Sequence, residues 1–264
     1  MSQTEPESET KQDDPATMSL GEHLEELRWR IVKGGIGLLV ATAGMLFFAD
    51  ELIALLRLPY DRAVADAGLE ARLAVTNVTA GFTTYMRVAL LAGLIVSCPW
   101  VFYQLWMFVA AGLYPRERRA VMTAVPFSTL LFIAGSATFL LGLAYPTLRF
   151  FILFNQWLDL QPVITLEHHI AFMTSLMLIF GICFQLPIVM YVLTWTGLVA
   201  RRTWGRLRRH AVVVILIVAA FATSPSPVDQ VGLAVPMYLL YELGVQLARV
   251  AERGADQQDP SQPA

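Results

Sequence analysis

Two short stretches hold most of the charge chemistry of this sequence. The first, GEHLEELRWR from Gly21 to Arg30, crowds Glu22, Glu25, Glu26, Arg28 and Arg30 into the last polar segment before the chain turns apolar. The second, FVAAGLYPRERRA, sets Glu117 among Arg116, Arg118 and Arg119. Glu22, Glu26 and Arg30 form an i, i+4, i+8 row, for which the ordinary account is salt bridging along one helix, at about 0.2 to 0.5 kcal/mol per pair. The other account is reception of a cation. Carboxylates bind guanidinium through planar two-point hydrogen bonds, so two of them at one membrane face could receive two arginines. Spacing leaves both readings open.

Three further features are polar groups in apolar surroundings. Gln185, in FGICFQLPIVMY beside Pro187, suits an interhelical hydrogen bond near a proline kink. Glu242, in VPMYLLYELG, can pair with a basic loop or a neighbouring helix, and a functional role is equally open; Pro236 is expected to kink that segment, its freed carbonyl being satisfied locally. His168 and His169 next to Glu167 suggest a metal. Adjacent helical residues do not share a face, however, and no second His or Cys cluster completes a site, so these histidines are expected at the outer interface. No glycine-rich phosphate loop, nucleotide signature or serine nucleophile motif occurs. The expectation is a non-enzymatic chain without cofactor or metal.

The elements that must position these groups are apolar. Of 264 residues 56% are hydrophobic and only 15% charged, against about 25% charged in soluble domains, and the mean hydropathy is +0.56. This is an all-α integral membrane protein. Cys98 and Cys183 lie inside apolar runs and read as core residues. Residues 1–17 and 254–264 are polar and read as disordered tails around a membrane domain at 18–253.

A span needs about 20 apolar residues, and six candidates occur. They are about Ile31–Ala49, a stretch within Thr83–Val109, one within Ala120–Tyr145, Ile170–Thr194, Ala211–Thr223 and Gln230–Leu247. The last two are short and separated by a break at Pro225 and Pro227. Leu20, Leu24, Leu27 and Ile31 make an apolar stripe, which predicts an amphipathic helix along the inner surface before span one. The outer loops contain LIALLRLPY and FFILFNQWL, expected as short helices over the outer face. Arg28, Arg30, Lys33, Arg116, Arg118, Arg119, Arg201, Arg202, Arg206, Arg208, Arg209, Arg249 and Arg253 fall on one side, which makes that side, with both termini, cytoplasmic.

These motifs resemble a family. Met18, Leu20, His23, Leu24, Glu26, Leu27, Arg28 and Arg30 match the signature M-x-L-x-x-H-L-x-E-L-R-x-R of TatC, the six-span core of the twin-arginine protein translocase. PWVFYQLWMFVAAGLYPRERR is similar to its second span and first cytoplasmic loop, FGICFQLPIVMYVL to its fourth span and AVPMYLLYELGV to its sixth. The resemblance implies a concave, cupped bundle in the plasma (inner) membrane of a prokaryote. It implies a receptor that binds twin-arginine signal peptides and, with single-span TatA- and TatB-type partners and other copies of itself, exports folded proteins. Glu26 and Glu117 would contact the arginine pair, and Phe108 would be an apolar contact. No nucleic-acid partner is implied. Gln185 stands where much of the family has glutamate, so a partner contact there would use amide hydrogen bonds. Asp229 sits a few positions after the family's acidic residue, whose role is not carried over. The rival class, an ion-coupled small-molecule transporter, would want titratable groups at mid-depth, and the centres of spans two to five carry none.

Overall fold

The computed structural model describes residues 20–69, 73–75, 77–111, 118–160, 164–222 and 227–256, and of the helix ends at 20–24, 111, 118–121, 201, 222 and 251–256 the backbone only. Residues 1–17, Glu117, Pro225 and, of the tail expected at 254–264, residues 257–264 lie outside the described residues, while 254–256 form the end of a helix. The described residues are almost entirely helical: α1 Leu20–Met45, α2 Ala49–Asp66, α3 Ala80–Ala111, α4 Arg118–Ala137, α5 Ala144–Trp157, α6 Leu166–Cys183, α7 Leu186–Trp195, α8 Arg201–Arg206, α9 Arg208–Ala222 and α10 Pro227–Asp256. The one extended pairing among them is an isolated bridge between Ala74 and Thr165.

Among the described residues, five helical runs are long and apolar enough to cross a membrane: Glu25–Asp66, Ala80–Ala110, Met122–Trp157, Leu166–Trp195 and Pro227–Val250. Several differ from expectation for identifiable reasons. The amphipathic stretch before span one is not a separate surface helix. Nothing between Arg30 and Ile31 breaks the backbone, and α1 runs through both. The two outer segments are helical, but as continuations. LIALLRLPY lies in α2, joined to α1 by the 3-10 turn Leu46–Phe48, and FFILFNQWL lies in α5, joined to α4 by the π-helical turn Thr138–Leu143. Span four is broken at Phe184 and Gln185, with Pro187 in the first turn of α7, where its missing amide costs nothing.

The expected short sixth span is instead a helix of 30 residues, about 45 Å long. Pro227 opens it at a position that favours proline, and the polar sequence after Leu247 continues the helix beyond its apolar part. The fifth is short: α9 has 15 residues, about 22 Å.

Close packing sets the register. A Cβ on Gly37 would run into the Trp100 ring, one on Gly93 would lie 2.7 Å from the Thr42 backbone, and Gly34 faces Gln104. These pairs make α1 and α3 antiparallel and nearly touching, the usual use of small residues between membrane helices. Gly135 on α4 faces Phe180 and Gly181 on α6 in the same way. The main core gathers Phe139, Ile152, Ile170, Met173, Phe180, Leu233 and Val245. His169 belongs to that core, not to an interface. It is buried, its Nε2 lies 3.2 Å from the Leu56 carbonyl, and its ring packs on Tyr60. His168, on another face, lies against Thr165 Oγ1 at 2.6 Å.

Candidate functional site

Glu26 sits one turn before Arg30 on α1, the favourable order for an acid and a base along a helix. Arg30 Nε donates to Glu26 Oε1 at 2.9 Å, and Nη2 donates to the same oxygen. Both side chains are largely covered, Glu26 being 22% exposed. Oε2 is buried and has no hydrogen-bond partner among the described residues. A buried carboxylate oxygen without a donor is costly, so Glu26 holds acceptor capacity that Arg30 does not use.

The α1–α3 register locates this group. Gly37 lies against Trp100 and Gly34 against Gln104; one further turn along the pair puts Arg30 level with Phe108, and the next puts Glu26 level with the end of α3 at Ala111. Phe108 is half-buried. Glu26 and Phe108 thus occupy one end of the helix pair, the end from which the chain leaves α3 toward Glu117.

A polar hub supports that end from behind. Trp106 Nε1 on α3 donates to Ser128 Oγ on α4 at 2.8 Å, and Gln185 Nε2 donates to the Ser128 carbonyl at 3.0 Å. Three segments are tied at one buried residue, and Gln185 is spent on an interhelical bond. Trp100 Nε1 adds a bond to the Lys33 carbonyl at 3.0 Å.

Glu242 is built differently. Arg208 Nη2 of α9 donates to its Oε2 at 3.0 Å, and Tyr238 OH lies 3.4 Å from Oε1, so both oxygens are engaged. Beside it, Tyr241 OH donates to the Trp204 carbonyl at 2.6 Å and Trp204 Nε1 to Thr194 Oγ1 at 3.0 Å. Pro236 lies inside α10, and Pro187 packs buried near Gly244. The structure therefore joins Glu26 to Arg30, Gln185 to Ser128 and Glu242 to Arg208 as three separate constellations.

The family model for Sec-independent protein translocase protein (TatC) matches residues 22–236. The chain belongs to the TatC family. It is 30% identical over 239 residues to TatCy of Bacillus subtilis, covering 90% of this chain and 91% of that one. With TatC of Koribacter versatilis it shares 34% over 233 residues, covering 88% and 85%. It also superposes on a crystal structure of the twin-arginine translocase receptor TatC with a TM-score of 0.73 at 29% identity, over 87% of this chain and 99% of that chain. As a TatC-family chain it is a membrane component of the twin-arginine, Sec-independent protein translocase, a non-catalytic role.

Sequence reasoning missed two features of this TatC-family chain. Ser128 carried no signal, because a serine in an apolar run announces nothing until Trp106 and Gln185 converge on it. Asp229, placed in the inter-span break from sequence, is 2% exposed in the first turn of α10 and accepts a hydrogen bond from Thr147 Oγ1 on α5. Its signal was Pro227 two residues earlier, which starts the helix and carries Asp229 inside.

Proposed function

We propose that this chain is the signal-peptide receptor of the translocase. The two arginines of a twin-arginine signal peptide dock on Glu26 and Glu117, and Phe108 provides an apolar contact beside them. The observation that carries this reading is the covered Oε2 of Glu26, unshared among the described residues, at the C-terminal end of α3 in the α1–α3 pair. A guanidinium arriving there meets an acceptor with no competing donor among the described residues and forms a charge-assisted bond. Glu117 follows the end of α3 by six positions, a tether short enough to bring a second carboxylate to the same end.

In this reading α9 is a sixth, short span in a cupped bundle spanning 18–253, both termini are cytoplasmic, and the membrane is the plasma (inner) membrane of a prokaryote. Single-span TatA- and TatB-type proteins and further copies of this chain assemble on it to export folded cargo. The ion-coupled transporter is disfavoured because the polar groups it could use are engaged between helices, Gln185 with Ser128, Glu242 with Arg208 and Asp229 with Thr147. The test is site-specific crosslinking of an Arg-Arg signal peptide to the full chain in membranes. Glu26→Ala with Glu117→Ala should reduce the yield to that of a peptide whose arginines are replaced by glutamine; a yield equal to wild type overturns the assignment.

A further inference from the structure

The strongest charge pattern outside that site lies on α8 and the start of α9. Helical hydrogen bonding runs through the joint between them, Leu207 N to Thr203 O at 3.0 Å and Ala211 N to Leu207 O at 2.7 Å, so the two segments share one set of faces. Trp204, Arg208, Ala211, Ile215 and Ala219 recur at helical spacing and form the inward face. Trp204 bonds to Thr194, Arg208 to Glu242, and Ile215 and Ala219 are buried in the core. Half a turn away, Arg202, Arg206 and Arg209 fall at i, i+4 and i+7 on the opposite face, all three exposed. None has an ion-pair partner among the described residues.

That face continues into apolar residues. Val213, 56% exposed, and Ile217, 50% exposed, extend the row from Arg206 and Arg209 along α9. α9 packs on α10 along the inward face, which leaves the Val213 and Ile217 side exposed, and toward hydrocarbon where α9 crosses the bilayer. Along the axis Arg209 and Arg206 thus lie about 6 and 10 Å from Val213 and Arg202 about 16 Å, which, with α9 crossing the bilayer, brings them to the depth of headgroup phosphates. A topological charge bias asks only for basic residues on one side and is indifferent to helix face. Here the inward-facing Arg208 is paired with Glu242, and the three on the opposite face have no ion-pair partner among the described residues.

We propose that Arg202, Arg206 and Arg209 form a binding site for the phosphate of an anionic phospholipid in the leaflet beside α8. Planar guanidiniums take phosphate oxygens two at a time, and three along about 10 Å match one or two adjacent headgroups. The site holds the short α9 at a fixed depth. The inference goes beyond signal reception and rests on α9 crossing the bilayer; it does not rest on Glu26.

The test is native mass spectrometry of the detergent-purified full chain titrated with phosphatidylglycerol, with phosphatidylcholine, and with inorganic phosphate. Wild type should retain phosphatidylglycerol at least fivefold better than phosphatidylcholine. Arg202→Gln with Arg206→Gln and Arg209→Gln should lose most of that preference, while Arg57→Gln with Arg62→Gln and Arg149→Gln should keep it. If the first triple variant does not fold, Arg206→Gln alone should lower retention at least twofold. Equal retention by wild type and the α8 variants overturns the proposal, as does equal loss in both triple variants. Displacement of the lipid by inorganic phosphate at matched concentration also overturns it, because the site would then take free anions. Crosslinking of the signal peptide to the Arg206→Gln chain separates the two readings, since reception at Glu26 should be unchanged.

Discussion

Two glutamate–arginine pairs in this chain use the same chemistry for different ends. In the Glu26 pair both partners lie on one helix, Arg30 gives two bonds to a single oxygen, and the other oxygen is covered and unshared among the described residues. In the Glu242 pair the partners lie on different helices, and each oxygen has its own neighbour, Arg208 and Tyr238. The first arrangement holds a carboxylate ready without saturating it. The second saturates a carboxylate to fasten α9 to α10. An ion pair is therefore informative through which lone pairs it leaves over, more than through its presence.

The largest effect expected is on the frame that positions the first pair. A Cβ at Gly93 would lie 2.7 Å from the Thr42 nitrogen and Cα, backbone atoms that cannot swing away. Gly93→Val should cost about 1 to 3 kcal/mol or more as α1 and α3 are forced apart. Thermal unfolding of the purified chain should show a midpoint lower by several degrees, with signal-peptide crosslinking to the α1 end lost. A midpoint within a degree of wild type would mean that the α1–α3 contact does not carry the register.

Next comes the chemical contrast itself. Glu26→Gln keeps shape and removes charge, and a hydrogen bond to a charged group is worth about 1.5 to 3 kcal/mol, so affinity for an Arg-Arg peptide should fall at least about tenfold. Glu242→Gln should leave that affinity within about twofold and instead lower the thermal midpoint, because Arg208 loses its charged partner. Similar losses in the two variants would erase the distinction between a receiving and a fastening carboxylate. Added salt should separate them too. Peptide association should weaken steeply between low and physiological ionic strength, while the unfolding midpoint moves little.

A smaller effect belongs to the hub behind the site. Gln185→Leu deletes the donor to the Ser128 carbonyl, and interhelical hydrogen bonds in membranes average about 0.6 kcal/mol. Thermal unfolding should register a loss of that order, with peptide crosslinking at wild-type yield. A large drop in crosslinking at an unchanged midpoint would show Gln185 acting on the peptide itself.

What was legible from sequence divides along physical lines. Helical class, the apolar runs, Glu26 in a charge cluster at the mouth of the first run, and Glu242 as a charged group in apolar surroundings follow from composition and period, which are local. The short α9 was visible because Pro225 and Pro227 bound it. The length of α10 was not, since helix can outlast hydrophobicity wherever the following residues favour it. Continuity of α1 with its amphipathic start, and of α4 with α5, depends on breaks that are absent, and an absence leaves no motif. Ser128, His169 and Asp229 depend on which helices meet. Phe108 and Glu26 are the instructive case: the family motif singles out both, but only the Gly37–Trp100 and Gly34–Gln104 contacts bring them to one end of the bundle.

The smallest effect, and the one that most sharpens the contrast between the two pairs, concerns Arg30. It restrains Glu26 and, in the proposed reading, adds a positive charge where a peptide guanidinium would arrive. Arg30→Gln removes that charge and frees Oε1, so an incoming arginine can engage both carboxylate oxygens. It also removes the restraint on Glu26, and the i, i+4 pair it abolishes is worth only about 0.2 to 0.5 kcal/mol. The two contributions nearly cancel, with the electrostatic one larger in a covered setting. Peptide affinity should therefore rise about two- to threefold, measured by titration of a fluorescent Arg-Arg peptide against the purified chain. A tenfold fall would reverse the reading, for Arg30 would then hold Glu26 in its receiving geometry, and the pair on α1 would be a fastening after all, within one helix instead of between two.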